Sequence, residues 1–380
     1  MGKIVFAHQL RGIAALLIVI THYFGVYYGM QPVVAAVTQS PELHLVPADW
    51  VQYLDFPLFK GPFGVAVFFL ISGFVIPFSL QKFSSPAFLL ARLFRIYPTY
   101  LCCLAIGMLM VCASAHYWSL PFVLSKKALL ANALLLHNLL GYSSLDTVNW
   151  TLAIEIKFYL LAALCAGALL RCRLPLLIAL ATLAGIALGL NALLPLLAAT
   201  PSLQWSLTAL AALALDCSYI CFMLIGVLFY HHLRGALSTA RLALGSLALM
   251  AAFLLAWQLG PQQGSFAAIS VYYDYAFVAF ALCYAARRHF RPLRLLDFFA
   301  DISYPLYAVH SLTGFSLLKI LMDRGLPFAA AVAIVLPLVI GLAWLLHIGV
   351  ELRSTAWGKR LAGPMRRDRP AAAISAADAR

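Results

Sequence analysis

The chain has 380 residues, of which 64% are hydrophobic and 10% are charged, and its mean hydropathy is +0.94. About a quarter of the residues in an average soluble domain are charged, so this composition excludes a soluble enzyme, a disordered protein and a nucleic-acid-binding domain. The net charge of +13 therefore reflects basic loops between apolar segments rather than contact with nucleic acid.

Apolar segments follow one another from end to end of the chain. A helix needs about 20 residues to cross the hydrocarbon core of a bilayer. Ten segments meet this requirement: 12–30, 63–81, 97–115, 150–170, 174–194, 207–230, 242–259, 266–285, 302–322 and 327–350. The sequence therefore predicts an all-α, polytopic integral-membrane helical bundle of about ten transmembrane helices. We expect the first segment to be a retained helix, because no small-residue cleavage site follows it.

The basic residues predict which loops face the cytoplasm. With the N-terminus inside, 20 of the 26 Lys and Arg residues fall in inner loops and tails, and 4 fall in outer loops. This asymmetry predicts cytoplasmic N- and C-termini. If the apolar stretch 128–140 crossed the membrane, every later loop would lie on the opposite side and the excess of basic residues in inner loops would be lost. We therefore expect this stretch to be outside or re-entrant. Residues 353–380 are predicted to be a basic, disordered cytoplasmic tail.

The first helix carries two ionisable side chains, Arg11 and His22. Such groups are costly in a membrane, so each is a candidate for function. Eleven residues are about three helical turns, which places the two on one face, about 16 Å apart along the axis. A histidine accepts and returns a proton near neutral pH, which suits a general base. The structural alternatives are a topology anchor for Arg11 and an interhelical hydrogen bond for His22.

The fourth span carries Glu155, about two turns from its outer end and five residues after Trp150. Lys157 is two residues further on and is expected to point to another face. Glu155 is a candidate for catalysis or substrate binding. Pairing with a basic group on another helix is the structural alternative.

The ninth span carries Tyr304, Tyr307 and His310 at i, i+3 and i+6. This spacing predicts one polar stripe on the helix. The stripe is either part of a binding site or a set of hydrogen bonds between packed helices.

The inner loop before the third span carries Arg92 and Arg95, one helical turn apart. Two guanidinium groups at this spacing can clamp phosphate groups, or they can simply set the topology. In the preceding span, Ser72 and Gly73 favour close approach of another helix. A nucleophilic Ser72 remains open, although its surroundings do not resemble a serine-hydrolase elbow. No metal site is predicted, since the adjacent histidines at 231 and 232 have no further ligand at a suitable spacing.

These motifs occur in the order seen in the membrane acyltransferase 3 family, which the chain resembles over about residues 5–350. They are Arg11 and His22 with ten residues between them, Phe-Phe-Leu-Ile-Ser-Gly-Phe at 68–74, Arg92-x-x-Arg95-Ile-Tyr-Pro, Trp150-Thr-Leu-x-x-Glu155 and Ile302-Ser-Tyr-Pro-Leu-Tyr-x-x-His310. One departs from the common form, because Ile156 and Lys157 stand where the family often has a second acidic or amide-bearing residue.

The resemblance implies that residues 1–352 form an acyltransferase 3-like transmembrane domain, a multi-pass O-acyltransferase of the bacterial inner membrane. It implies acyl-CoA, commonly acetyl-CoA, as the donor substrate, with no permanently bound cofactor. The implied acceptor is a hydroxyl of a cell-surface or exported glycan, such as a polysaccharide, a lipopolysaccharide or a lipid-linked saccharide. A small molecule such as a macrolide is an alternative acceptor.

The resemblance also implies roles for particular residues. His22, Arg11 and Glu155 are expected to be catalytic, and the residues expected to bind donor or acceptor are Arg92, Arg95, Trp150, Tyr304, Tyr307, His310 and Ser72. Direct transfer and a transient acyl-enzyme are both open. The sequence does not include the extracytoplasmic domain fused to some members, so we expect transfer to finish within the membrane domain or with a separate periplasmic partner.

Two other classes of protein share this composition. A secondary transporter also has many spans and buried charges, but the two halves of the chain show neither a repeat nor paired helix-breaking segments. A non-catalytic scaffold or sensor would tolerate substitution of Arg11, His22 and Glu155. In every case membrane lipids surround the chain, and nucleic acid is not an expected partner.

Overall fold

The computed structural model describes residues 4–52, 60–171, 174–198, 204–260 and 262–363, and its elements are helices. In the first half of the chain they are α1 (Val5–Ile20), α2 (Tyr27–Gly29), α3 (Gln31–Thr38), α4 (Asp49–Gln52), α5 (Gly61–Leu80), α6 (Ser85–Tyr117), α7 (Lys126–Ala133), α8 (Asn149–Leu164) and α9 (Ala166–Leu169). In the second half they are α10 (Leu174–Ala198), α11 (Gln204–Leu233), α12 (Thr239–Leu259), α13 (Phe266–Ala285), α14 (Arg294–Asp301), α15 (Ser303–Asp323), α16 (Phe328–Leu346) and α17 (Leu352–Ala362).

The predicted polytopic all-α fold is confirmed. Eight helices of the described chain are long and apolar enough to cross a membrane: Val5–Gly29, Gly61–Leu80, Ser85–Tyr117, Pro175–Leu197, Ser206–Leu233, Thr239–Leu259, Gln263–Ala285 and Phe328–Ala362. The other two predicted spans, 150–170 and 302–322, correspond to α8 with α9 and to α15. Helix α8 is shorter, with 16 residues. Helix α15 is less apolar, because it carries His310 and Lys319 in its interior.

Helices α1, α6 and α15 run in the same direction. At one end, the Tyr304 hydroxyl donates to the carbonyl of Ile96. At the other end, the Tyr117 hydroxyl donates to the carboxylate of Asp323. We call the first the basic end, because Lys82, Arg92, Arg95 and Lys359 lie there, and the second the far end.

Glycines allow neighbouring helices of the bundle to approach closely. A Cβ atom at Gly73 of α5 would lie 1.8 Å from the Met223 carbonyl oxygen of α11, and one at Gly226 of α11 would lie 2.3 Å from the Leu70 carbonyl oxygen of α5. The two backbones are therefore in direct contact, as the Ser72-Gly73 pair predicts. At Gly12 of α1, the same test gives 2.6 Å to the backbone nitrogen of Ala300.

The stretch 128–140 does not cross the bundle by itself. Together with α8, it leads the chain back from the far end to the basic end. Its helix, α7, ends beside the middle of α6, where the Tyr100 hydroxyl donates to the Asn132 carbonyl and the Tyr97 hydroxyl to the Leu134 carbonyl. Tyr100 lies 17 residues, about 26 Å, before the far end of α6. The chain then continues into α8, which ends at the basic end, where Ser85 Oγ donates to the Ala163 carbonyl.

The predicted disorder of residues 353–380 is wrong for the first part of this tail. Residues Leu352–Ala362 form α17, which packs along α6 through the buried small residues Ser354, Gly358 and Ala362. Their spacing of four places them on one helical face. A Cβ at Gly358 would lie 2.5 Å from the Phe94 Cβ, so contact with α6 stabilises the helix. Residues 364–380 lie outside the described residues.

Candidate active site

A cavity of about 540 Å³ enters the bundle from the basic end, between α1, α5, α6, α8, α15 and α17. Exposed Lys82 and Lys359 lie at its mouth. Seven of the ten residues predicted for the site line this cavity: Arg11, Ser72, Arg92, Arg95, Glu155, Tyr304 and Tyr307. The helices thus bring together residues from five separate motifs.

The cavity wall carries more positive than negative charge. Its Lys and Arg residues are Arg11, Lys82, Arg92, Arg95 and Lys359, and its Asp and Glu residues are Glu155, Asp301 and Glu351. The Nε atom of Arg11 is buried and has no hydrogen-bond partner in the described part of the chain. A buried guanidinium donor without a partner is costly, so this arrangement favours an anionic ligand beside Arg11.

Arg92 is held in place by one hydrogen bond and two aromatic rings. It donates to Ser79 Oγ at 2.6 Å, and its guanidinium carbon lies 5.5 Å from the Phe88 ring centre and 5.3 Å from that of Tyr159. Cation–π contacts of this kind fix the orientation of the planar group. Arg95 also faces the cavity, one turn along α6.

Glu155 accepts hydrogen bonds from two hydroxyl groups. Ser72 Oγ donates at 2.7 Å from α5, and the Tyr159 hydroxyl donates from one turn further along α8. Both bonds go to Oε1, which leaves Oε2 as the carboxylate's other acceptor at the cavity wall. Lys157 points to another face, as predicted, and forms an ion pair with Asp216 of α11.

Beyond the inner end of the cavity, His22 and His310 form a buried pair. Nε2 of His310 lies 2.8 Å from Nδ1 of His22, and the ring centres are 4.8 Å apart. Nδ1 of His310 lies 3.0 Å and 2.9 Å from the carbonyl oxygens of Leu306 and Tyr307. Carbonyls only accept, so His310 carries its hydrogen on Nδ1 and its neutral Nε2 accepts from His22 Nδ1–H. Nε2 of His22 is then left with a lone pair.

The backbone around His22 is specialised. Residues Thr21–Val26 are π-helical, and π-helical turns inside α-helices are frequent at functional sites. The next residue, Tyr23, donates from its hydroxyl to the His310 carbonyl at 3.0 Å. A Cβ at Gly314 would lie 2.0 Å from that hydroxyl, so this glycine is what allows Tyr23 to reach α15.

Tyr307 lies between the cavity and the histidine pair. Its ring lines the cavity, and its centre is 6.1 Å from that of His310. The hydroxyl lies 2.7 Å from Thr151 Oγ1 and 3.0 Å from the Val148 carbonyl. Neither His22 nor His310 lines the cavity. Tyr307 therefore separates the two parts of the site in this conformation.

Trp150 does not face the cavity, although the sequence predicts it as a binding residue. Its ring packs between α8 and α11, 5.6 Å from the Tyr219 ring centre. The sequence also missed cavity residues outside the motifs, among them His8, Tyr159, His347 and Glu351. Tyr159 could have been found from its position one turn after Glu155. Within the described residues, no group of three or more His, Cys, Asp or Glu side chains could hold a metal ion.

Comparison with known proteins identifies the family of the chain. The family model described as an acyltransferase domain, acyltransferase 3, matches residues 4–348, nearly the whole chain. No curated protein and no solved structure matches the chain. The matched range includes the candidate site residues Arg11, His22, Arg92, Arg95, Glu155 and His310. The chain therefore belongs to the acyltransferase 3 family and is a membrane acyltransferase.

Proposed function

We propose that this protein is an inner-membrane O-acyltransferase that moves an acetyl group from cytoplasmic acetyl-CoA to a hydroxyl of a cell-surface or exported glycan. The observation that carries the proposal is the His22–His310 pair, which leaves a lone pair on His22 Nε2 beside a cationic cavity. The excess of Lys and Arg in the loops supports a cytoplasmic position for the basic end.

The cavity suits the phosphate-bearing donor. Coenzyme A carries several phosphate groups on its nucleotide, and guanidinium groups bind phosphate through charge-assisted hydrogen bonds. Arg92 and Arg95 lie on one face of α6 and supply such donors. The pantetheine arm is uncharged and would extend past Arg11 toward Tyr307, where the wall becomes less charged.

His22 then acts as the general base. Its Nε2 removes the proton from the acceptor hydroxyl while the hydroxyl oxygen attacks the thioester carbonyl carbon. The new carbon–oxygen ester bond forms and the carbon–sulfur bond breaks. His22 returns the proton to the sulfur, so the products are the acetyl ester and coenzyme A thiol. No acyl-enzyme is required, and direct transfer is the form of the reaction we propose.

His310 positions His22 and helps to carry its charge. Because its own Nδ1–H is committed to two backbone carbonyls, its Nε2 can only accept, which fixes the hydrogen of His22 on Nδ1. When His22 takes the acceptor proton, the positive charge of its ring is stabilised by this hydrogen bond. This is the role of an orienting partner behind a catalytic histidine.

Access to His22 from the cavity requires a movement of Tyr307. The tyrosine is held by Thr151 and the Val148 carbonyl at the beginning of α8, where α8 follows the loop after α7. A rotation of this side chain would open the cavity toward the histidine pair. Donor binding beside Tyr304 and Tyr307 would supply the contacts that shift this equilibrium.

An aromatic cluster toward the far end fits a sugar acceptor. Phe24 lies two residues after His22, and its ring centre is 5.9 Å from that of Trp50. Trp50 also stacks against Phe328 at 6.1 Å, and the residue is 42% exposed. An exposed indole offers both an apolar face and an N–H donor, which suits a ring that carries CH groups and hydroxyls.

The test is mass spectrometry of surface glycans from cells with and without the protein. We expect one acetyl group to be missing from a glycan in the deletion strain and restored by wild-type protein. His22→Ala, checked for membrane insertion, should fail to restore it. Unchanged glycans together with unchanged exported small molecules would contradict the proposal. Transport of a solute without consumption of labelled acetyl-CoA would instead support a transporter.

A further inference from the structure

A histidine–carboxylate pair lies in the cavity wall, on the segment between α16 and α17. Nδ1 of His347 lies 2.7 Å from Oε2 of Glu351, and both residues line the cavity. Glu351 is 6% exposed. It also lies beyond residues 4–348, which the family model matches. A carboxylate this buried needs a partner, and His347 supplies it.

The backbone here resembles that around His22. Residues His347–Glu351 are π-helical, and the only other π-helical residues in the described part of the chain are Thr21–Val26. π-helical turns are rare overall but frequent at functional sites. In this chain, each of the two segments places a histidine at the candidate site.

Packing of α17 against α6 holds the His347–Glu351 pair in place. Gly358 contacts Phe94 of α6, whereas Glu351, Thr355 and Lys359 face the cavity at successive turns. Arg11 of α1 lines the same cavity. The polar stripe of α17 is therefore part of the same positively charged cavity as the paired arginines.

The hydrogen-bond chemistry determines what His347 can offer. A carboxylate accepts, so the hydrogen between the two groups belongs to Nδ1 of His347. Nε2 is then the remaining polar atom of the ring. The His347 side chain is 16% exposed and lines the cavity. When Nε2 also carries a hydrogen, the ring can donate from this atom to an anionic oxygen in the cavity.

We propose that His347 binds an anionic group of the donor through Nε2, and that Glu351 is the positioning residue that orients it. The inference rests on the proposed acyl-CoA activity and names the substrate group concerned: a phosphate of the donor nucleotide. His347 would thus act with Arg92 and Arg95 at the phosphates, whereas His22 acts at the thioester.

The test compares two donors, acetyl-CoA and acetyl-pantetheine, which lacks the phosphates. We expect His347→Asn to raise the KM for acetyl-CoA about tenfold, the loss typical of one hydrogen bond to a charged group, and to leave kcat within threefold. The KM for acetyl-pantetheine should not change. A purely structural role of His347 would alter both donors equally.

The variants of Glu351 test the positioning role. Glu351→Ala should resemble His347→Asn, and the double variant should be no worse than either single variant, because both changes remove one function. Glu351→Gln retains an accepting oxygen and should be milder. The matched control is His44→Asn, since His44 also lies beside a carboxylate, Glu42 at 3.7 Å, but is exposed in the segment between α3 and α4.

The outcomes separate this inference from the proposed function. Wild-type protein that consumes no acetyl-CoA would contradict the proposed function itself. Active wild-type protein with an unchanged KM for acetyl-CoA in His347→Asn would overturn the inference alone. Additive losses in the double variant would overturn the role of Glu351 as the residue that positions His347.

Discussion

The close contact between α5 and α11 makes the stability of the bundle sensitive to one methyl group. In Gly73→Ala, the new Cβ would lie 1.8 Å from a backbone oxygen of Met223, where ordinary contacts begin near 3.4 Å. The clash is with backbone, so no side chain can rotate away and one helix must move by well over an ångström. Overpacking of this kind costs about 1–3 kcal/mol, and we expect about 3 kcal/mol here.

Movement of α5 should also disturb the candidate active site, because Ser72 is next to Gly73 in the chain. Its 2.7 Å hydrogen bond to Glu155 crosses from α5 to α8 and would lengthen when α5 shifts. We therefore expect Gly73→Ala to lower acyl transfer as well as stability. The free energy of unfolding is measured in mixed micelles of mild detergent and SDS, followed by tryptophan fluorescence, and activity is measured on the same preparation.

Gly185→Ala is the matched control. This glycine lies within α10, and a Cβ there would meet nothing within 4 Å. Alanine is the better helix former by about 1 kcal/mol, so the control should be unchanged or slightly more stable. Equal stability of the Gly73→Ala and Gly185→Ala proteins would refute the direct backbone contact between α5 and α11.

Three further substitutions test separate parts of the account. Lys157→Met should destabilise the protein by about 3–5 kcal/mol, because it leaves Asp216 buried and charged, whereas the double variant with Asp216→Leu should recover most of the loss in the same unfolding assay. His310→Ala should lower kcat at least tenfold with little change in the KM for acetyl-CoA, since His22 loses its orienting partner; an unchanged kcat would contradict that role. Trp50→Ala should raise the KM for the glycan acceptor and not that for the donor in steady-state kinetics; an unchanged acceptor KM would remove the aromatic cluster from the acceptor site.

The sequence predicts much of the fold because hydropathy reports burial in a membrane directly. Eight of the ten predicted spans stand out by length and apolar composition alone. The two others, which contain α8 and α15, carry the polar residues of the site, so the same feature that makes them functional makes them less apolar. The small-residue stripe of α17 was not predicted because the Arg, Ala and Asp content of residues 353–380 favours disorder over a packed helix.

The candidate site is only partly predictable for a similar reason. Spacing along one helix places Tyr304 and Tyr307 on a common face, and both line the cavity. The contact between His22 and His310 joins residues 288 positions apart, and it depends on how α1 and α15 pack against each other. No local pattern contains that information. Trp150 shows the converse, since its motif lies at the site while its own side chain packs against α11.

The most direct test of the central claim is release of coenzyme A thiol by purified protein supplied with acetyl-CoA and its glycan acceptor. The account predicts that His22→Ala binds acetyl-CoA with the wild-type Kd but releases thiol at least a hundredfold more slowly, the usual contribution of a general base. Thiol release by His22→Ala at the wild-type rate would contradict it.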